Sequence, residues 1–120
     1  MTPEELAQGQ LIAYNAHDLD AFLTFFNDSI AVFRPPQIEP VLHGKVEFAE
    51  FYRRERFCLP NLHAEVTNRM VLGNKVIDHE KITGLNEQVL EVAVVYEIRD
   101  GLIHTVWSFS ADKLQGIVSM

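Results

Sequence analysis

The chain has 120 residues and a mass of 13.7 kDa, which leaves room for a single domain spanning residues 1–120. An apolar fraction of 48% and a charged fraction of 22% exclude a disordered tail, a fibrous repeat and a coiled coil. The net charge of −7, without a cluster of cations, argues against nucleic acid and membrane partners, and the single cysteine excludes an intramolecular disulfide.

The first third of the chain is predicted to be helical. Thr2, Pro3 and Glu5 have the spacing of an N-cap, a first-turn proline and a capping-box partner. They predict a helix that ends near His17. A second helix is predicted over residues 19–26, where four apolar side chains, three of them phenylalanines, supply its buried side.

Strands dominate the rest of the chain. A short strand is predicted at residues 30–33, before two prolines, and a third helix at residues 45–57. From Asn61 the apolar period changes to two, which is typical of strands. Turn residues then divide the sequence into strands at 61–72, 76–83, 89–98 and 102–111, and residues 114–120 are left unassigned.

This order of elements predicts an α+β fold, with a meandering antiparallel sheet and the helices on one face. Both faces of residues 92–96 are apolar, and Val95, Trp107 and Phe109 belong to the face that three short helices cannot cover. We therefore expect a homodimer through that sheet face. The alternative is a sheet that curls enough to bury both faces within one copy.

Three segments carry a further signal. Residues 17–28 begin HDLDAF and end FND, residues 42–52 begin LHG and end FY, and residues 94–103 read VVYEIRDGLI. The sequences of these segments, their order and their spacing resemble the nuclear transport factor 2-like superfamily, and most closely its SnoaL-like, ketosteroid-isomerase-related branch. The resemblance implies a cone, in which a strongly curved antiparallel sheet wraps around three N-terminal helices and a pocket opens between them, commonly in a dimer.

The catalytic groups of the two best-known enzyme types in this branch are missing. The resemblance places the base of the steroid isomerases at Arg34, their tyrosine donor at Gln10, and their aspartate donor at Val94, or at Val95 if the hairpin register differs by one. A guanidinium cannot act as a base near neutral pH. The polyketide cyclases carry a carboxylate on the last strand, where this chain reads Val106-Trp107-Ser108. Neither mechanism is predicted here.

His79 is the sharpest catalytic candidate. A gapless match points His79 and Ile77 into the cone, and a histidine in an apolar pocket can act as an acid or base near neutral pH. A histidine among charged neighbours on a strand can instead make a cross-strand hydrogen bond. If the register differs, Asp78 and Glu80 are the inward pair.

Ten residues are predicted to line the ligand pocket: Tyr14, Phe26, Arg34, Phe51, Tyr52, Val94, Tyr96, His104, Val106 and Ser108. Tyr14 and Tyr52 either polarise a ligand carbonyl or belong to the core. Arg34 either binds an anionic group of a ligand or pairs with a nearby glutamate. His104 and Ser108 are alternatively solvated residues near the end of the sheet.

These residues predict binding of a small, mostly apolar, carbonyl-containing molecule, with cofactor-free acid/base chemistry of the isomerase, cyclase or hydrolase type. The alternatives are a noncatalytic small-molecule-binding domain and a protein-interaction dimer. No recognised metal-ligand spacing is present, so neither a metal nor a cofactor is predicted. The acidic N-terminus, where a signal peptide would be basic, and the low cysteine content predict a cytoplasmic protein.

Overall fold

The computed structural model describes residues 1–111, and the unassigned segment 114–120 lies outside the described residues. The helices are α1 (Pro3–Asn15), α2 (Leu19–Leu23) and α3 (Lys45–Glu55). The strands are β1 (Phe26–Phe33), β2 (Leu42–His43), β3 (His63–Leu72), β4 (Lys75–Thr83), β5 (Leu90–Arg99) and β6 (Leu102–Ser110). No helix within residues 1–111 combines the length and the apolarity needed to cross a bilayer.

The N-terminus of α1 carries the predicted capping box. The Thr2 hydroxyl accepts a hydrogen bond from the Glu5 backbone N–H at 3.1 Å, and the Glu5 carboxylate accepts one from the Thr2 N–H at 2.8 Å. Two of the N–H groups that a helix start leaves unpaired are satisfied in this way. The helix ends at Asn15, two residues before the predicted end.

The boundary between α2 and β1 differs most from the prediction. The helix stops at Leu23, and Phe26 opens a strand instead of closing a helix. The Phe26 ring is fully buried and packs on Phe22 and Phe48, at centroid distances of 4.8 and 4.7 Å. Because the helix and the strand bury their aromatic side chains in the same cluster, the run of phenylalanines does not reveal where one element ends.

The strands form one curved, unclosed sheet in the order β2-β1-β6-β5-β4-β3. The predicted α+β class, with a curved sheet around the N-terminal helices, is confirmed. Every neighbouring pair is antiparallel except β1 and β6, which run parallel. A parallel pair needs a long crossover, and here α3 and three strands of the meander lie between the two partners.

The helices cover one face of this sheet. On β5 the buried positions alternate strictly, with Val92, Val94, Tyr96 and Ile98 pointing toward the helices. The residues between them are only half-buried. The sheet therefore has an inner face, which encloses the core of the cone, and an outer face that none of the three described helices covers.

Gly84 is expected to be indispensable at the turn after β4. Its φ is +85°, and a Cβ added there would lie 2.1 Å from the Asn61 carbonyl oxygen. Gly73 also has a positive φ, +60°, but a Cβ there would meet nothing within 4 Å. We expect Gly84→Ala to lower the free energy of unfolding by about 2 kcal/mol more than Gly73→Ala, since both variants strain the backbone and only one creates a clash. Urea denaturation of the two variants measures the difference, and equal losses would contradict it.

Candidate functional site

Two carboxylates of β4 point into the cone. Every second residue of the strand is buried, and the buried set is Val76, Asp78, Glu80 and Ile82. Asp78 is 0% and Glu80 is 5% exposed. They lie opposite Val94 and Val92 of β5, whose side chains share the inner face. The inward pair is the one expected if the gapless match does not hold.

His79 lies on the outer face, so its predicted inward orientation is wrong. Its side chain is 42% exposed, and its Nε2 lies 2.5 Å from a carboxylate oxygen of Glu91 on the neighbouring strand. This is the cross-strand contact that was the alternative interpretation. Both faces of β4 carry apolar residues, and only contact with the helices decides which face is the inner one.

A chain of hydrogen bonds runs from α1 to the Glu80 carboxyl. Gln10 is buried, and its Nε2 donates to the Ala7 carbonyl at 3.0 Å and to the Tyr96 hydroxyl at 3.1 Å. The Tyr96 hydroxyl in turn donates to Glu80 Oε2 at 3.2 Å. These contacts fix the orientation of the carboxyl and leave its Oε1 for a proton or a ligand.

The pKa of the Glu80 carboxyl lies near neutral pH. Burial, followed by the negative charge of Asp78, raises the pKa of Glu80 to about 7, against the smaller opposing effects of the Tyr96 hydrogen bond and the positive charge of Arg69. A carboxyl with this pKa is close to half-protonated in a neutral cell. It can therefore both give and take a proton.

Arg69 forms a two-point ion pair with Asp78. Arg69 Nε and Nη2 donate to the two carboxylate oxygens at 2.7 and 2.9 Å. The register of β3 against β4 shifts between Val66 and Asn68, which changes the facing parity of β3 and turns Arg69 inward. Strict alternation from Ala64 places Arg69 on the outer face, so the sequence pattern does not predict this contact.

Two phenol groups lie in the same buried region. Tyr14 and Tyr52 are 5% and 0% exposed, their ring centroids are 6.4 Å apart, and neither hydroxyl has a hydrogen-bond partner among residues 1–111. Burial raises the pKa of both phenols, and the charges of Arg56 and Glu80 act on both. The phenols therefore stay protonated at neutral pH. An unpartnered buried hydroxyl is unfavourable in the free protein and can be satisfied by a ligand.

The other predicted pocket residues lie in different parts of the fold. Four of them are at most 2% exposed on the inner face: Val94, Tyr96, Val106 and Ser108. Phe26 is part of the solid aromatic cluster rather than a cavity wall. Phe51 is half-buried on the edge of α3, and the Arg56 guanidinium lies over its ring, 5.0 Å from the centroid. Phe51 also lines an open groove along β2 and α3.

His104 lies differently from the expectation, whereas neither interpretation of Arg34 is tested. In the pairing of β5 with β6, Ile98 faces Ile103 and Glu97 faces Thr105, so His104 is the extra residue of a β-bulge. Ile103 takes the buried position, and His104 is half-exposed with its Nδ1 2.9 Å from the Thr105 hydroxyl. Arg34 is half-buried just after β1, where burial and then the charge of Arg56 lower its pKa.

Comparison with known proteins agrees with the fold described above. Residues 7–106 match the family model of the SnoaL-like domain. No curated protein matches the chain in sequence.

Solved structures share the fold at low sequence identity. A protein from Kribbella flavida described as a "putative ketosteroid isomerase" superposes with a TM-score of 0.80 at 18% identity, over 97% of this chain and 82% of that one. A SnoaL-like protein of unknown function from Burkholderia thailandensis gives 0.76 at 23%, over 92% and 94%. An uncharacterised cystatin-fold protein from Novosphingobium aromaticivorans gives 0.77 at 22%, over 90% and 97%. At these identities the likeness concerns the fold alone.

Proposed function

This chain belongs to the SnoaL-like domain family, and from that premise we propose that it binds a small apolar carbonyl compound in the cone and moves a proton on it with the Glu80 carboxyl. The observation that carries the proposal is a buried carboxyl, with a pKa of about 7, in the same region as two buried phenols whose hydroxyls have no partner among residues 1–111. Such a set of groups is typical of acid/base sites.

The proposed step is proton removal beside a carbonyl. Ionised Glu80 takes the proton from the carbon next to the carbonyl group, so a C–H bond breaks and a carboxyl O–H bond forms. The electron pair left behind moves onto the carbonyl oxygen as an enolate. Hydrogen bonds from the Tyr14 and Tyr52 hydroxyls stabilise that oxygen as its charge develops, and Glu80 then returns the proton to the same molecule at the same or another carbon.

The surroundings of the two phenols favour an apolar ligand with one polar end. The rings of Phe22 and Phe57 pack against Tyr14, at centroid distances of 6.1 and 5.5 Å, and Tyr52 also contacts Phe22 at 4.9 Å. Arg56 is only 5% exposed, and its positive charge acts on both phenols. A cation close to hydrogen-bond donors favours an oxygen that becomes negative.

A panel of ketones, enones and epoxides tests the proposal. We expect at least one ketone or enone to raise the melting temperature and to yield a product that mass spectrometry or NMR detects. Turnover should fall about 10²–10⁴-fold in Glu80→Gln and stay unchanged in His79→Gln, the matched control on the opposite face of β4. Binding without any product would favour the noncatalytic alternative, and loss of turnover only in the His79 variant would overturn the assignment to Glu80.

We also propose that two copies pair through the outer sheet face. Ile77, Val95, Trp107 and Phe33 lie side by side across four strands, and the Trp107 and Phe33 rings stack at 6.2 Å. All four are half-buried, no helix of residues 1–111 lies above them, and Phe109 beside them is 43% exposed. Both signs of charge border this row, in the pair Lys75–Glu97. A second copy related by a two-fold axis can therefore match apolar to apolar and cation to anion.

The Val95→Glu variant tests this pairing. A carboxylate in the middle of the apolar row would be desolvated on association, so we expect the variant to be monomeric at micromolar concentration, where the unmodified protein is a dimer. Thr83→Glu, at the exposed end of β4 on the same face, is the control and should stay dimeric. Sedimentation velocity measures all three. A monomeric unmodified protein would contradict the pairing.

A further inference from the structure

We propose that Arg69 is a positioning residue for Glu80: by pairing with Asp78, it determines how readily Glu80 gives up its proton. The inference rests on the proposed function, since it concerns the group assigned there to the proton transfer. It goes beyond that function because Arg69 contacts Asp78, and not Glu80, in the hydrogen-bonded geometry.

The two carboxylates are close enough to influence each other. Asp78 and Glu80 are two positions apart on the inner face of β4, and a rise of about 3.4 Å per residue places their Cβ atoms about 7 Å apart. Both side chains are withdrawn from water, so their interaction is weakly screened. The charge state of Asp78 is therefore felt at Glu80.

Arg69 is held in a fixed position beside Asp78. It spans both oxygens of Asp78 at 2.7 and 2.9 Å, and its third donor, Nη1, contacts the Gln8 side chain of α1 at 2.9 Å. Its side chain is 14% exposed. A two-point contact of this kind fixes direction as well as distance.

Titratable and charged groups face the Glu80 region from each neighbouring element. They are Asp78 on β4 itself, Arg69 on β3, Tyr96 on β5, Tyr14 on α1, Tyr52 on α3 and Arg56 at the end of α3. The three phenols remain neutral at pH 7, because burial raises the pKa of each. Among the described residues of the inner sheet face, the charged groups beside Glu80 are the two members of the Arg69–Asp78 pair.

Removing the charge of Asp78 and removing the charge of Arg69 should shift the pKa of Glu80 in opposite directions. In Asp78→Asn the positive charge of Arg69 remains alone, and the pKa of Glu80 should fall by about one unit or more. In Arg69→Gln the negative charge of Asp78 loses its partner, so the two carboxyls share a proton and the last proton should leave about one unit or more above the wild-type midpoint. The double variant Arg69→Gln/Asp78→Asn removes both charges and should titrate near the wild type.

Carbon-13 NMR of the side-chain carboxyls, recorded as a function of pH on the full chain, measures these midpoints without any ligand. A pair with a merely structural role would lower the melting temperature of both single variants and leave the Glu80 midpoint in place, and that result would overturn the inference. If Arg69→Gln does not fold, Asp78→Asn and the charge-preserving Arg69→Lys decide: the first must shift the midpoint and the second must leave it within a few tenths of a unit.

The same data separate this inference from the proposed function. A Glu80 midpoint near pH 7 that responds to Asp78→Asn, in a protein that turns over no member of the ligand panel, would uphold the pair and overturn the proposed chemistry. Turnover that depends on Glu80, with a Glu80 midpoint that Asp78→Asn does not move, would uphold the proposed chemistry and overturn the role of the pair.

Discussion

Replacing Glu80 by Gln is expected to raise the free energy of unfolding by about 3 kcal/mol at pH 8 and to leave it almost unchanged at pH 4.5. The pKa of Glu80 rises from 4.5 to about 7 on folding, chiefly because the carboxyl is buried. Folding therefore favours the protonated carboxyl. Glutamine resembles that protonated form and carries no charge to desolvate at any pH.

The direction of the pH effect follows from proton counting. Between pH 4.5 and about 7 the folded protein holds a proton on Glu80 that the unfolded chain has lost. The stability contributed by protonated Glu80 is complete below pH 4.5, decreases as the pH rises, and is lost above the folded-state pKa. The shift of about 2.5 units, at about 1.4 kcal/mol per unit, gives the difference of about 3 kcal/mol.

Urea denaturation at several pH values measures this difference directly. Subtracting the curve of Glu80→Gln from that of the wild type removes the contribution of the titrating groups that do not interact with Glu80. His79→Gln is the control, because it changes a residue of the same strand on the outer face, and it should not gain the stability at pH 8 that Glu80→Gln gains. Parallel curves for the wild type and Glu80→Gln would contradict a raised pKa at Glu80.

The sequence predicts the fold well because most signals for it are local. The capping box at Thr2, the turns at Gly73-Asn74 and Asp100-Gly101, and the alternation in β5 each depend on a few adjacent residues. The parallel contact of β1 with β6 is different, since it joins segments more than 70 residues apart and no local pattern encodes it.

The candidate site is harder to predict, because it depends on strand parity. Val76 and Ile82 share a face with Asp78 and Glu80, which was the available signal for an inward pair. Ile77 lies on the other face, so the apolar pattern does not distinguish the two faces of β4. Packing against α1 determines which face points inward. A single extra residue in β3 then turns Arg69 inward, and another in β6 leaves His104 out of the buried row.

The two unpartnered phenols also imply a conflict between stability and function. Tyr52 is fully buried and its hydroxyl has no partner among residues 1–111, whereas the hydroxyl of Tyr96, which is equally buried, both accepts and donates a hydrogen bond. A buried hydroxyl without a partner is unfavourable by about 1–3 kcal/mol. Residues kept in such a state at a functional site reserve their hydrogen bonds for a ligand.

Tyr52→Phe is therefore expected to stabilise the free protein by about 1–2 kcal/mol and to weaken binding of a carbonyl ligand about tenfold, because one hydroxyl leaves both states. Tyr14→Phe should act in the same direction. Tyr96→Phe is the matched control: it removes a hydroxyl of the same type from the same region, but takes away the donor to Glu80 Oε2 and one of the two hydrogen bonds of Gln10 Nε2, so it should destabilise the protein by about 1–3 kcal/mol. Urea denaturation and ligand titration measure the two effects separately. If Tyr52→Phe destabilises the protein as Tyr96→Phe does, the Tyr52 hydroxyl already has a partner in the free protein and is not reserved for a ligand.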